Sequence, residues 1–105
     1  MESQRKVPKE LIHFGKREYR EKKPNKVHIL RIKDKTVFKR GLLPSLVIKQ
    51  HPAIQYVVLA EYIDLSRLYF FTSTGTLLEA ENVEPKSPIL KKLAKASKVL
   101  YRIPY

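Results

Sequence analysis

The rhythm of apolar and polar positions changes along this chain, and its clearest stretch lies in the middle. IQYVVLAEYI (Ile54 to Ile63), RLYFFTS (Arg67 to Ser73) and TLLEAENV (Thr76 to Val83) are short runs rich in β-branched and aromatic residues, the composition of strands that pack on a core. DLSR and STGT part them at hairpin spacing, with Gly75 as the natural positive-φ residue of the second turn. Upstream, KVHILRIK (Lys26 to Lys33) and TVFKR (Thr36 to Arg40) predict another pair of strands around Asp34 and Lys35. LPSLVIKQHP (Leu43 to Pro52) fits a short helix opened by Pro44 and ended by Pro52, or a buried strand; we read it as the helix.

The period lengthens towards the C-terminus. Ser87 followed by Pro88 is a helix start, a side-chain oxygen to cap open amides and then a residue that needs no donor. At 100° per residue Ile89, Leu90, Leu93, Ala94, Ala96, Leu100 and Tyr101 cover about half the circumference of a helix over 88–102. Lys91, Lys95, Lys98 and Arg102 fall on the other half as a row roughly 16 Å long, with Lys92 to one side. The N-terminal segment is less regular. Pro8 offers a helix start, but Leu11, Ile12, Phe14 and Tyr19 form no clean stripe and Gly15 interrupts them. A short helix running into a basic arm and one continuous helix both fit.

These elements predict an α+β fold: an antiparallel sheet of about 4–5 strands covered by a C-terminal basic amphipathic helix, preceded by a basic N-terminal arm over residues 1–25 with room for partial helix. Residues 26–105 form a single domain. A chain of 105 residues has room for one modest core, and 43% hydrophobic against 30% charged residues is a globular composition.

Charge changes the picture most. The chain carries 22 Lys and Arg against 10 acids, a net +12, and the excess sits at the ends: +9 over residues 1–40, −2 over 41–86 and +5 over 87–105. A surplus of this size attracts polyanions and speeds their encounter. Two basic segments on a nearly neutral scaffold are expected to converge on one side and build a polyanion site. The C-terminal row has no acid in it. On an ordinary surface helix Glu would be interleaved with Lys, so an anionic partner that relieves the repulsion is the better account. Membrane binding is the weaker one, because the helix has alanines and no Trp or Phe on its apolar side, and that side is needed to cover the sheet.

In KREYREKKPNK (Lys16 to Lys26) the basic residues Lys16, Arg17, Arg20, Lys22, Lys23 and Lys26 surround two glutamates and Tyr19. Cations mixed with an aromatic ring suit phosphates and exposed bases, as in RNA or single strands. Arg31, Lys33, Lys35, Lys39 and Arg40 cluster at the first predicted hairpin, either extending this surface or protecting a sheet edge. Tyr56, Tyr62, Tyr69, Phe70 and Phe71 are read mostly as core, since RLYFFTS lacks the glycine-and-basic pattern of a base-stacking sheet.

The remaining chemistry is sparse. Without cysteine there are no disulfides, thiol redox chemistry or Cys-based metal sites. His13, His28 and His51 stand apart from one another, and no glycine-rich phosphate loop occurs. The pairs Glu61/Asp64 and Glu79/Glu81 lack a neighbouring lysine to organise a nuclease metal. We therefore expect no enzyme, no cofactor, no metal and no small-molecule substrate. No signal-peptide or membrane-span pattern is present, which reads as cytoplasmic. Few Asn, Gln and Met beside abundant Lys and Glu suggest a thermophilic, archaeal source. The expected function is RNA binding within a ribonucleoprotein such as a ribosome. The alternatives are a DNA-binding accessory, of chromatin, of a virus or plasmid, or of a replication or transcription machine, and a protein-interaction module whose basic face meets an acidic protein surface; other proteins of a nucleoprotein complex are further expected partners.

Overall fold

The middle strands bury side chains on both faces, which is why their sequences run nearly continuously apolar. In the computed structural model, which describes residues 7–34 and 52–104, Tyr56, Val58 and Ala60 join one core cluster while Val57 joins the other. The next strand repeats the pattern, Tyr69 and Phe71 on one face, Leu68 and Phe70 on the opposite one. One sheet thus separates two apolar layers, each of which needs a cover.

The elements in chain order are α1 (Lys9–Lys22), β1 (Lys26–Ile32), β2 (Ile54–Glu61), β3 (Ser66–Thr72), β4 (Leu77–Val83), α2 (Pro88–Ala96) and β5 (Ser97–Ile103). The strands form a five-stranded antiparallel sheet in the order β4-β3-β2-β1-β5. Helix α1 covers one face, placing Leu11 among Val27, Ile29, Tyr56, Val58 and Leu100. Helix α2 covers the other, placing Ile89, Leu93 and Ala96 among Leu30, Ile32, Ile54 and Phe70. The fold is α+β, with its main helix N-terminal and a short helix near the C-terminus. Among the described residues no helix is long and apolar enough to cross a membrane.

Several local signals are realised. Ser87 caps α2, its side chain accepting from Ile89 N at 3.4 Å, with Pro88 in the first turn. Gly75 turns β3 into β4 with φ +90°. Its NH donates to Thr72 O at 3.0 Å. Of the first predicted hairpin, Lys26–Ile32 is β1; Thr36–Arg40 and the helix expected within Leu43–Pro52 lie outside the described residues, apart from Pro52, which is in the turn before β2.

Two expectations are corrected. The helix predicted over 88–102 ends at Ala96, and Ser97–Ile103 is a strand. Strand β1 buries residues on both faces, so as an edge it would leave a row of backbone groups without partners. The run VLYRI has the β-branched and aromatic content to supply them. It pairs with β1 from Val27↔Ile103 to Ile32↔Ser97. The helix end is held there by Ala96 O, which accepts from Lys33 N at 2.6 Å and Asp34 N at 3.1 Å. The second correction is at the other end of the chain. Residues 9–22 form one continuous helix, one of the two readings that the sequence left open, and it is docked on the sheet with Leu11, Gly15 and Glu18 buried instead of standing free as an arm.

Candidate nucleic-acid interface

Helix α1 docks through a stripe that its apolar residues alone do not reveal. Leu11, Gly15 and Glu18 recur at i, i+4 and i+7 and face the sheet. A Cβ on Gly15 would meet side chains of Ile103, Val27 and Ile29 at 3.4–3.6 Å, so the position is one of close helix-to-sheet approach. Glu18, only 6% exposed, accepts from Tyr62 Oη at 2.5 Å and Tyr69 Oη at 2.7 Å. Lys22 Nζ lies 3.7 Å from its other oxygen.

With that stripe inward, Lys9, His13, Lys16 and Arg20 are exposed and fall within about 60° of one another on the solvent side, a row roughly 16 Å long. Arg17 flanks the row with its guanidinium 5.9 Å from the centre of the Phe14 ring, and exposed Lys23 extends it past the helix end in a left-handed conformation with φ 54°. Glu10 and Glu21 lie to the side. Glu21 reaches Arg20 at 3.9 Å with both side chains largely in solvent, where such a pair contributes little. The sequence pattern set His13 apart as an isolated histidine and left Lys9 out of the cationic surface, although their i, i+4, i+7, i+11 spacing with Lys16 and Arg20 was there to be read.

The other candidates are scattered. Tyr19 is half-buried and packs on the α1-side core instead of standing free in an arm. Lys26 begins β1 on the face of His28, and Lys33 follows β1, exposed. Arg31 is paired in register with Lys98 on the α1 face. Lys91 and Lys95 are exposed on α2, and Lys92 is half-buried there. Lys35, Lys39 and Arg40 lie outside the described residues.

The expected row Lys91, Lys95, Lys98 and Arg102 does not form, because its last two members are on a strand. The bulge opposite Ile29 and Leu30 also sends them to opposite faces: Lys98 lies across from Arg31 and Arg102 across from His28. Nor do the two basic segments converge, since α1 and α2 cover opposite faces of the sheet. The reason is the sheet itself, whose two apolar faces each take one helix. Among the described residues the extended cationic row belongs to α1.

Arg102 is engaged instead in a cluster at the mouth of a 160 Å³ groove that Leu30, Leu59, Leu93 and Val99 help to line. Its Nε donates to His28 Nδ1 at 3.0 Å. Arginine Nε has no lone pair to give, so Nδ1 is the acceptor and the ring's hydrogen sits on Nε2, where it meets Glu61 Oε2. Both ring nitrogens are thus occupied, and His28 is a structural link between β5, β1 and β2. Among the described residues no three His, Asp or Glu side chains gather as metal ligands.

A second cluster lies where α1 ends. The Tyr62 and Tyr69 hydroxyls are held as neutral donors: burial first, and then the hydrogen bond and charge of Glu18, push Tyr69 up to about 12 and Tyr62 higher still. Arg67 stacks its guanidinium 5.2 Å from the centre of the Tyr69 ring and donates from Nη1 to Asn82 Oδ1 at 2.7 Å. A 280 Å³ hollow is lined by Lys22, Tyr62, Asp64, Leu65, Arg67 and Asn82. A neighbouring hollow of 420 Å³ shares Tyr62 and Asp64 and reaches Lys23 and Asn25. No sequence motif pointed here, because the cluster joins the end of α1 to the β2–β3 turn and the β3–β4 hairpin, which lie far from that helix along the chain.

Comparison of the chain with protein-family models, with curated proteins and with solved structures finds no match.

Proposed function

We propose that this is a non-enzymatic nucleic-acid-binding protein, a component or accessory of a ribonucleoprotein, and that it meets RNA phosphates with the solvent face of α1. One observation carries the reading. Lys9, Lys16 and Arg20 lie in a row with His13 on a helix that is itself fixed to the sheet, with Arg17 and Lys23 beside them. A rigid row of cations releases condensed counterions from a phosphate chain without first being ordered by it. Contacts of this kind give affinity and orientation but do not read sequence. RNA is favoured over DNA because the half-buried ring of Tyr62 shares a hollow with Lys22 and Arg67, a mixture suited to single-stranded or looped segments.

Salt dependence tests the proposal. Five cations, Lys9, Lys16, Arg17, Arg20 and Lys23, engaging five phosphates of a single strand give a slope of log K against log salt of about −3.5. Fluorescence anisotropy with a labelled single-stranded RNA between 50 and 200 mM salt measures it. The double variant Lys16→Glu/Arg20→Glu flattens the slope and lowers affinity at least tenfold, whereas Lys91→Glu/Lys95→Glu on the opposite face changes it little. A slope shallower than about −1, or equal loss from both faces, refutes the assignment to α1. Tighter binding of duplex DNA than of RNA would move the reading to a DNA-associated accessory.

A further inference from the structure

We infer that the hollow at the C-terminal end of α1 is a pocket for a single unpaired nucleotide, with Tyr62 as its stacking platform; this rests on the phosphate-binding reading of α1. The cation row leads there through Lys23, which extends it past the helix end and lines the adjoining hollow, while Lys22, on the sheet-facing side of α1 beside Glu18, lines the pocket itself. A strand tracking α1 by its phosphates is thereby delivered to the pocket.

The lining has the parts that a nucleotide needs. Tyr62 borders both hollows, and its hydroxyl is tied to buried Glu18 at 2.5 Å, so the ring is fixed before any base arrives and stacking costs little side-chain entropy. Beside it Ile63 is 89% exposed, an apolar side chain with no burial of its own and a natural second contact for a base. Asn82 uses its Oδ1 on Arg67, which leaves its amide NH₂ to donate, and the exposed Asp64 carboxylate can accept. One donor and one acceptor across a hollow of 280 Å³ suit the edge of a base. Lys22 and Arg67 in the same lining supply positive charge for its phosphate.

The test compares a labelled single-stranded RNA with an abasic strand of the same length and backbone charge. The intact protein binds the base-bearing strand more tightly than the abasic one. Tyr62→Leu lowers affinity for the base-bearing strand roughly 5- to 100-fold and brings the ratio of the two strands towards one, while the salt slope stays steep. Tyr62→Phe, which keeps the ring, holds the ratio within about threefold of the original. Because Tyr62→Leu also removes a core hydrogen bond, a second measurement uses the unaltered protein. In it, NMR titration with a ribonucleoside monophosphate shifts the amides of Lys23, Asn25, Ile63, Leu65 and Asn82 and leaves those of α2 in place. Equal affinity for base-bearing and abasic strands with a steep salt slope overturns the pocket and spares the phosphate row. No salt-dependent binding of either strand overturns both.

Discussion

Replacing Glu18 by Ala removes the group on which the polar end of the molecule is built. Its carboxylate is 6% exposed and accepts two tyrosine hydroxyls, at 2.5 and 2.7 Å. Hydrogen bonds to an ionised group contribute about 1.5–3 kcal/mol each, and a buried hydroxyl left without a partner costs about 1–3 kcal/mol. Tyr69, 4% exposed, bears that cost in full, whereas half-buried Tyr62 recovers part of it from water. Against these stand the desolvation of a carboxylate that no longer has to be buried and the few tenths of a kcal/mol by which Ala favours a helix. Lys22 adds little, since its side chain is 56% exposed. The net expectation is a loss of about 2–4 kcal/mol, or roughly 10–30 °C in Tm for a domain of this size. Urea denaturation at neutral pH measures it. A double-mutant cycle of Glu18→Ala with Tyr69→Phe isolates the contact, with an expected coupling of about 1–2 kcal/mol. Glu21→Ala, on the solvent side of the same helix, should stay within about 0.5 kcal/mol. The reasoning fails if Glu18→Ala costs less than 0.5 kcal/mol, or if its effect and that of Tyr69→Phe simply add.

The same cluster sets an alkaline limit. Tyr69 is raised to about 12 and Tyr62 beyond that, so above pH 10 the unfolded chain releases protons that the folded one keeps. This contribution to stability is complete below pH 10 and is lost as pH rises towards 12, with a slope of at most about 1.4 kcal/mol per pH unit for each tyrosine. Denaturation midpoints at pH 9, 10 and 11 should fall, and Tyr69→Phe should flatten the decline; constant stability over that range contradicts the argument. Gly75→Ala should cost about 1–2 kcal/mol, because φ is +90° and the new Cβ would stand 3.1 Å from Glu10 Cβ. Urea denaturation reads this directly, and a change under 0.3 kcal/mol would show that the turn relaxes without strain.

Strands β1 to β4, the Gly75 turn and the Ser87–Pro88 helix start were legible in the letters because each is specified locally. Runs of β-branched residues, a positive-φ turn and a capping hydroxyl need no distant partner to be recognised. The burial of Tyr56, Tyr69, Phe70 and Phe71 followed from the same runs. So did the concentration of charge at the two ends.

Tertiary structure decided what local pattern left ambiguous. Residues 97–103 satisfy a helical period and a strand composition at once, and the open backbone of β1 selected the strand, taking Lys98 and Arg102 out of the cationic row. The docking stripe of α1 was hidden because two of its positions are Gly15 and Glu18, a residue without a side chain and a charge; only the nearness of the sheet and of two tyrosine hydroxyls makes them interior residues. The separation of the basic segments onto opposite faces, and the meeting of Lys22, Tyr62, Arg67 and Asn82 at one end, are likewise products of packing. Composition determines how much charge a chain carries, but the side on which it is displayed depends on which apolar faces must be covered.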